Sequence, residues 1–331
     1  MTKRFSILSA TILAGLLVTG CEGEDGTTGT TTVTATGMES STGTAADAAG
    51  PATLSDGFAT PESVLYDPAD DVYYVSNING RPLEADGNGY ISRISAASHE
   101  MEQKWIDGTR DGVELDAPKG MALVGNELWV TDIDRIRRFN KATGQLTGSI
   151  PIEGATFLND LATGADGAAY VSDSGMRAGT SGFEPAGTDA VYRISSGGEV
   201  ESIASGSELG GPNGLHVSDG EIWGVTFGSN ELYRLVDGKK MDVITVPAGG
   251  LDGIATAADG DFLISSWEGS AVYKGPAAGP FSPVVEQITS PADIGVDSRR
   301  NLLLIPVFQE DRVEIRPLDS GGGTASGETD R

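Results

Sequence analysis

Six short segments of this chain are copies of one another. Pro61-Glu62-Ser63-Val64, Pro118-Lys119-Gly120-Met121, Leu158-Asn159-Asp160-Leu161, Pro212-Asn213-Gly214-Leu215, Leu251-Asp252-Gly253-Ile254 and Pro291-Ala292-Asp293-Ile294 each run Pro or Leu, a variable residue, a small or acidic residue, then an aliphatic. A turn such as Asp166-Gly167 or Asp259-Gly260 follows, then a β-rich run such as residues 72–76 or 262–265. A third run (Val191-Tyr192-Arg193-Ile194, Leu232-Tyr233-Arg234-Leu235) and, in most copies, a fourth (residues 199–204) complete the unit, and helical periodicity is missing throughout. Four short antiparallel strands, repeated six times over residues 56–318 at about 44 residues per unit, predict an all-β, six-bladed β-propeller of four-stranded blades. The sixth copy stops at its third strand, residues 312–317, so residues 52–59 are expected to supply the missing strand and close the ring without a free edge.

Charge and rare residues narrow the chemistry. Of 331 residues, Lys+Arg contribute 22 and Asp+Glu 48, a formal charge of −26, which excludes steering onto nucleic acid or an anionic lipid surface. One cysteine excludes an intramolecular disulfide. Two histidines, His99 and His216, exclude a multi-histidine zinc or iron site, so a metal would have to be held mainly by oxygen.

Residues 1–20 carry Lys3 and Arg4 and then a short apolar run, the form of a secretory signal rather than a membrane span. Leu17-Val18-Thr19-Gly20-Cys21 resembles the lipobox of bacterial lipoproteins, which implies cleavage before Cys21 and acylation of its thiol. Several acyl chains would anchor the protein stably. Glu22 after the cysteine is similar to the outer-membrane sorting class of Gram-negative lipoproteins. Residues 21–55 read as a flexible linker behind the lipidated Cys21 and residues 319–331 as a disordered tail, because Gly, Thr, Ser and acidic residues bury too little surface to offset ordering entropy.

If each unit opens on the innermost strand, the variable second residues converge at one mouth of the central channel: Glu62, Lys119, Asn159, Asn213, Asp252 and Ala292. Two carboxylates and two amide carbonyls form a hard-oxygen cluster suited to Ca²⁺ or Mg²⁺, with Lys119 as a cation beside it. The same side chains would equally hydrate one another in a polar channel, with Glu62 paired to Lys119.

With these residues in view, residues 58–318 resemble the senescence-marker-protein, gluconolactonase and regucalcin family of six-bladed propellers, most clearly at Leu158-Asn159-Asp160, Pro212-Asn213-Gly214-Leu215 and Leu251-Asp252-Gly253. The resemblance implies an axial divalent metal held by Glu62, Asn213 and Asp252, with Asn159 near metal-bound water and substrate. Calcium is the first candidate, with zinc or magnesium after it. It further implies Asp252 as general base and Asn159 as a second catalytic residue. The arginine that in the family often precedes the Asn-Asp motif is here Phe157, and Glu62 is followed by Ser63-Val64 rather than Gly-Pro.

Asp160, Asp293 and His216 are expected as substrate-side or supporting groups together with Lys119; their simpler reading is turn carboxylates and a structural histidine. Two long loops, residues 78–88 and 173–189, should lie over the mouth and bring Arg81, Met176, Arg177 and Phe183 towards a substrate. Tyr74, Trp129, Tyr170 and Trp223 recur in second strands and read as inter-blade packing. No nucleophile elbow, phosphate loop or dinucleotide fingerprint is present. The expectation is an exported, lipid-anchored propeller hydrolysing small-molecule lactones or related esters with a divalent metal, touching the membrane through its anchor only. The alternative is a non-catalytic propeller that binds a ligand or protein at the cell surface; oligomeric state is left open.

Overall fold

The computed structural model describes residues 49–318, apart from Ser181. The expected signal segment, the lipidated Cys21, the linker as far as residue 48 and the tail from residue 319 lie outside the described residues. Six four-stranded antiparallel sheets follow one another along the chain, and their inner strands neighbour each other around a ring. The inner strands of blades 1 to 6 are Pro61–Asp67, Pro118–Val124, Leu158–Thr163, Pro212–Ser218, Leu251–Thr256 and Gly295–Asp297. The second strands are Val72–Asn77, Glu127–Asp132, Ala169–Asp173, Glu221–Thr226, Phe262–Ser266 and Leu302–Val307. The turns between them include Gly167 and Gly260 at φ of 76° and 88°, backbone that glycine adopts without steric cost.

The ring closes as the repeat count requires. Strand Ala52–Leu54 pairs with Arg312–Pro317 through Ala52↔Ile315, Thr53↔Glu314 and Leu54↔Val313, giving the sixth blade its fourth strand. Three side-chain contacts reinforce the seam with blade 1: Ser63 Oγ donates to Asp293 Oδ2 (2.5 Å), Tyr73 Oη donates to Asp297 Oδ2 (2.7 Å), and Arg300 bridges Asp71 (2.7 Å) and Asp297 (2.9 Å).

Buried apolar side chains among the described residues gather in six clusters, one between each pair of neighbouring blades. Tyr74, Trp129 and Trp223 are members and Tyr170 packs against one, which is their expected role. Burial of side chains of this size contributes about 1.5–3 kcal/mol each, so the ring is held chiefly by blade-to-blade packing. The segment read as a long loop, residues 173–189, contains a two-stranded hairpin, Met176–Gly179 with Gly182–Pro185. Its Met-Arg-Ala-Gly strand has neither β-branched residues nor alternation, hence no sequence signal.

One irregularity positions everything that follows. In blades 1 to 5 the inner strand carries a β-bulge between the first and fourth residues of the repeat, as between Pro212 and Leu215 or Leu251 and Ile254. The extra residue frees the second and third positions from the regular ladder and re-aims their side chains, a common use of bulges beside functional sites. A hydroxyl one residue before the end of the second strand ties the bulge to the next blade. Ser172 Oγ accepts the Asp160 N–H (3.0 Å) and donates to the Asn213 carbonyl (2.7 Å), and Ser265 Oγ accepts from Gly253 N–H (2.8 Å) and donates to the Ala292 carbonyl (2.8 Å). Thr131 Oγ1 likewise donates to the Asn159 carbonyl (2.5 Å). Adjacent bulges approach so closely that a Cβ on Gly214 would stand 2.3 Å from the Asp252 carbonyl oxygen, which explains glycine at the third position there.

Candidate functional site

Because the bulge alternates side chains across the ring, second and third residues of the repeat face different openings. Glu62, Lys119, Asn159, Asn213 and Asp252, each no more than 6% exposed, line one cavity of about 310 Å³. Ala292, the sixth member, is fully buried. The third-position residues Ser63, Asp160 and Asp293 line a second cavity of about 260 Å³, together with His216. The structure thus brings together five of the eight side chains singled out from the sequence and places Asp160, Asp293 and His216 apart from them. His216 Nε2 contacts Thr256 Oγ1 (2.8 Å) and its ring packs edge-on to Phe262. Asp160 accepts N–H groups of Leu161 and Leu215 (2.6 Å each), so it braces blade 3 against blade 4.

Within the first cavity three oxygens stand out. Glu62 Oε2, Asn213 Oδ1 and Asp252 Oδ1 are buried and have no hydrogen-bond partner. An unsatisfied buried acceptor costs about 1–3 kcal/mol, so three on one cavity form an arrangement that a bound cation or a proton would relieve. Among the described residues no group of three or more His, Cys, Asp or Glu side chains is assembled for a metal. The set here is two carboxylates and an amide, all hard oxygen donors, which suits Ca²⁺ or Mg²⁺ better than a soft ion.

Protonation follows the same logic. Burial pushes the Asp252 carboxyl up to about 7, with Asp160 adding to the rise and the Trp267 indole N–H and the Asn213 amide opposing it. Burial and then the charges of Asp252 and Asp293 hold Glu62 well above the ordinary carboxylate range, opposed by Lys119. Asp160 is raised to about 6 by burial, and Asp293 is raised well above its usual range by burial and then by Asp160. Lys119 is pushed down by burial and up by Glu62, Asp132 and Asp173. Its Nζ donates to the Ala117 carbonyl (3.1 Å) and sits 4.7 Å from the centre of the Phe157 ring, and no ion pair joins it to Glu62. Asn159 is fixed by its Nδ2 donating to Ser174 Oγ (3.2 Å), which itself donates to the Pro212 carbonyl (2.8 Å).

Above this polar floor stands an apolar wall. Phe227, Trp267 and Phe308 each follow directly on the last residue of a second strand and form a chain of ring contacts, with centroids 5.6 Å and 5.1 Å apart. Ile78 and Ser174 occupy the same repeat position in blades 1 and 3 and also line the cavity, whereas Ile133 of blade 2 does not. Opposite, Phe157 packs edge-on to Phe183 (5.6 Å) on the hairpin, beside Met176. Met176 and Phe183 therefore reach the site as expected. Arg81 and Arg177 do not line it; they are exposed and pair with Glu84 (3.7 Å) and Glu184 (3.0 Å). The collar of residues just past the second strands was not anticipated, although one fixed offset in the repeat marks it.

No protein-family profile matches the chain, and no characterised protein matches it in sequence. Solved structures do. A gluconolactonase from Xanthomonas campestris superposes with a TM-score of 0.59 at 18% identity, over 80% of this chain and 89% of that one. A luciferin-regenerating enzyme matches with a TM-score of 0.60 at 11% identity, over 81% and 96%. A catalytically inactive histidine-to-alanine variant of virginiamycin B lyase from Staphylococcus aureus, solved with quinupristin, matches at 0.56 and 16% identity, over 81% and 98%. At these identities the likeness establishes the shared six-bladed fold.

Proposed function

We propose that the chain is a divalent-metal-dependent hydrolase of lactones or related esters, exported and held at the membrane by lipid on Cys21. The observation that carries the reading is the set of three unpartnered, buried oxygens on Glu62, Asn213 and Asp252 at the floor of one cavity. Those three would hold the ion, with calcium first and zinc or magnesium as alternatives. Such an ion, when bound, supplies Lewis-acid polarisation of an ester carbonyl.

The remaining work falls to the side chains. Asp252 accepts the proton of water as it adds to the carbonyl carbon. Its Oδ2 accepts the Trp267 N–H, so Oδ1 is the oxygen that would hold the ion and would take up the proton on leaving it. Asn159, clamped by Ser174, orients the substrate. Lys119 places positive charge where the product carboxylate forms, and the acyl C–O bond to the ring oxygen breaks as that oxygen takes back the proton held by Asp252 and becomes the alcohol. A rival reading among proteins of this fold is a lyase, one of whose inactive forms lacks a histidine. The cavity here has no histidine, which favours hydrolysis.

The test is calorimetric and kinetic. The purified protein should bind calcium stoichiometrically, and chelation should abolish turnover of a lactone panel. Asp252→Asn, whose single amide oxygen can meet either the Trp267 N–H or the ion, should weaken metal binding and lose turnover at least a hundredfold. Asn213→Ala should lose both. A protein that neither binds a divalent ion nor opens any lactone would leave only a ligand-binding propeller. Acylation is checked separately, by loss of palmitate incorporation in Cys21→Ser.

A further inference from the structure

Resting on the hydrolase reading, we propose that the cavity selects an apolar substrate, a lactone or ester bearing an alkyl or aryl group, and not a polyhydroxylated sugar lactone. The division of the cavity carries this. Apart from Ser174 at the collar position of blade 3, its polar side chains lie in the floor, whereas the wall is Phe157, Phe183, Phe227, Trp267 and Phe308, with Ile78. Each polar group has an assigned task or partner: the Ser174 hydroxyl is used twice, by Asn159 and by the Pro212 carbonyl. The indole N–H of Trp267, the one polar atom on the aromatic side, is spent on Asp252.

An aromatic platform alone can cover the C–H face of a sugar, but a sugar also presents a rim of hydroxyls that need donors and acceptors once water is displaced. The wall has none to give. An alkyl or aryl group leaves nothing unpaired there and gains from burial in proportion to its area. Phe183 points to the same end of the molecule: it is 55% exposed, the most exposed large apolar side chain among the described residues, and it edges the cavity mouth against Phe157. An exposed aromatic at the mouth extends the apolar surface out to where a substituent longer than the cavity would run.

The experiment uses the purified full chain with calcium and a homologous series of δ-lactones of increasing alkyl length, an aryl lactone (dihydrocoumarin) and δ-gluconolactone. Two readouts are taken: kcat/KM, and quenching of intrinsic tryptophan fluorescence, with Trp267→Phe as the control that assigns the signal. The expected result is a rise in kcat/KM of about fourfold per added methylene until the wall is covered, with gluconolactone at least a hundredfold below the best alkyl member. Phe308→Ser and Phe227→Ser should flatten the chain-length dependence through KM while calcium affinity stays unchanged. Binding of alkyl lactones by fluorescence without any turnover would support the apolar selectivity and overturn the hydrolase reading. Turnover of gluconolactone equal to or above the alkyl series, or a chain-length dependence unmoved in both serine variants, would overturn the selectivity and leave the hydrolase reading in place.

Discussion

The indole N–H of Trp267 donates to Oδ2 of Asp252 at 2.7 Å and leaves Oδ1 of the same carboxylate unpartnered in the cavity. The wall of the site thereby sets the protonation of its floor, because this bond favours the charged form of Asp252 against the burial that raises it. Replacing Trp267 by Phe keeps the ring and removes the donor. Calcium affinity at pH 7 should fall about tenfold, one pKa unit's worth, and recover at pH 9, where Asp252 is ionised in either protein. Calorimetry at the two pH values checks it.

Metal-free protein should lose stability as pH rises. Asp252 near 7, Asp160 near 6, and the strongly raised Glu62 and Asp293 all bind protons in the folded chain that they release more readily when unfolded. Their contribution is complete below the unfolded carboxylate pKa of about 4 and is lost as pH climbs through the folded values. Melting temperature should therefore be several degrees lower at pH 8 than at pH 5, at about 2–4 °C per kcal/mol for a domain of this size. Asp252→Asn should flatten the slope, and calcium should restore the loss at pH 8; a flat profile in the chelated wild type would contradict the electrostatics described.

Lys119→Met should act with opposite signs on two quantities. The ammonium lowers the Glu62 pKa and also repels a cation on the same floor. Its removal should tighten calcium on the order of tenfold at pH 8 and lower the melting temperature of the chelated protein. Paired calorimetry and thermal denaturation would test both signs at once.

The seam between blades 6 and 1 should be the costliest place to damage outside the site. Arg300 is almost fully buried and spans Asp71 and Asp297, the second of which also accepts from Tyr73. Arg300→Met removes the cation shared by Asp71 and Asp297, leaving Asp71 with Arg299 and Tyr66 and Asp297 with Tyr73 and backbone N–H groups, and should destabilise the fold by about 3 kcal/mol, read from urea unfolding, with calcium affinity of the folded fraction unchanged.

The sequence made the ring legible because the bulge geometry leaves a mark on every copy. Close approach of neighbouring bulges requires Gly120, Gly214 or Gly253 at the third position, and the second position is free to vary, so Glu62, Lys119, Asn159, Asn213, Asp252 and Ala292 are marked by alignment of the chain with itself, while the choice of Glu62, Asn213 and Asp252 among them comes from the family resemblance. The same bulge sends residues beyond it to the other opening, so His216 lines the second cavity, held by Thr256 and Phe262 in the manner of a structural histidine. The collar escaped because Phe227, Trp267 and Phe308 sit in connections of unequal length, where an aromatic looks incidental. Only after the ends of the second strands are fixed, at Thr226, Ser266 and Val307, does their common offset emerge. The hairpin carrying Phe183 left no periodic trace in its four-residue strands.

The hydroxyl ties between successive blades have a mechanical implication. Asn159, Asn213 and Ala292 are each hooked by their backbone carbonyls to the blade before them, while the collar aromatics Phe227 and Phe308 lie outside that chain of hooks, one step past the strand. Recognition and reactivity are therefore separable at two points of the crown: Phe227 and Phe308 can be recut for a differently shaped guest, whereas Trp267 and Ser174 hold Asp252 and Asn159 and must stay for the donors beneath to keep their aim.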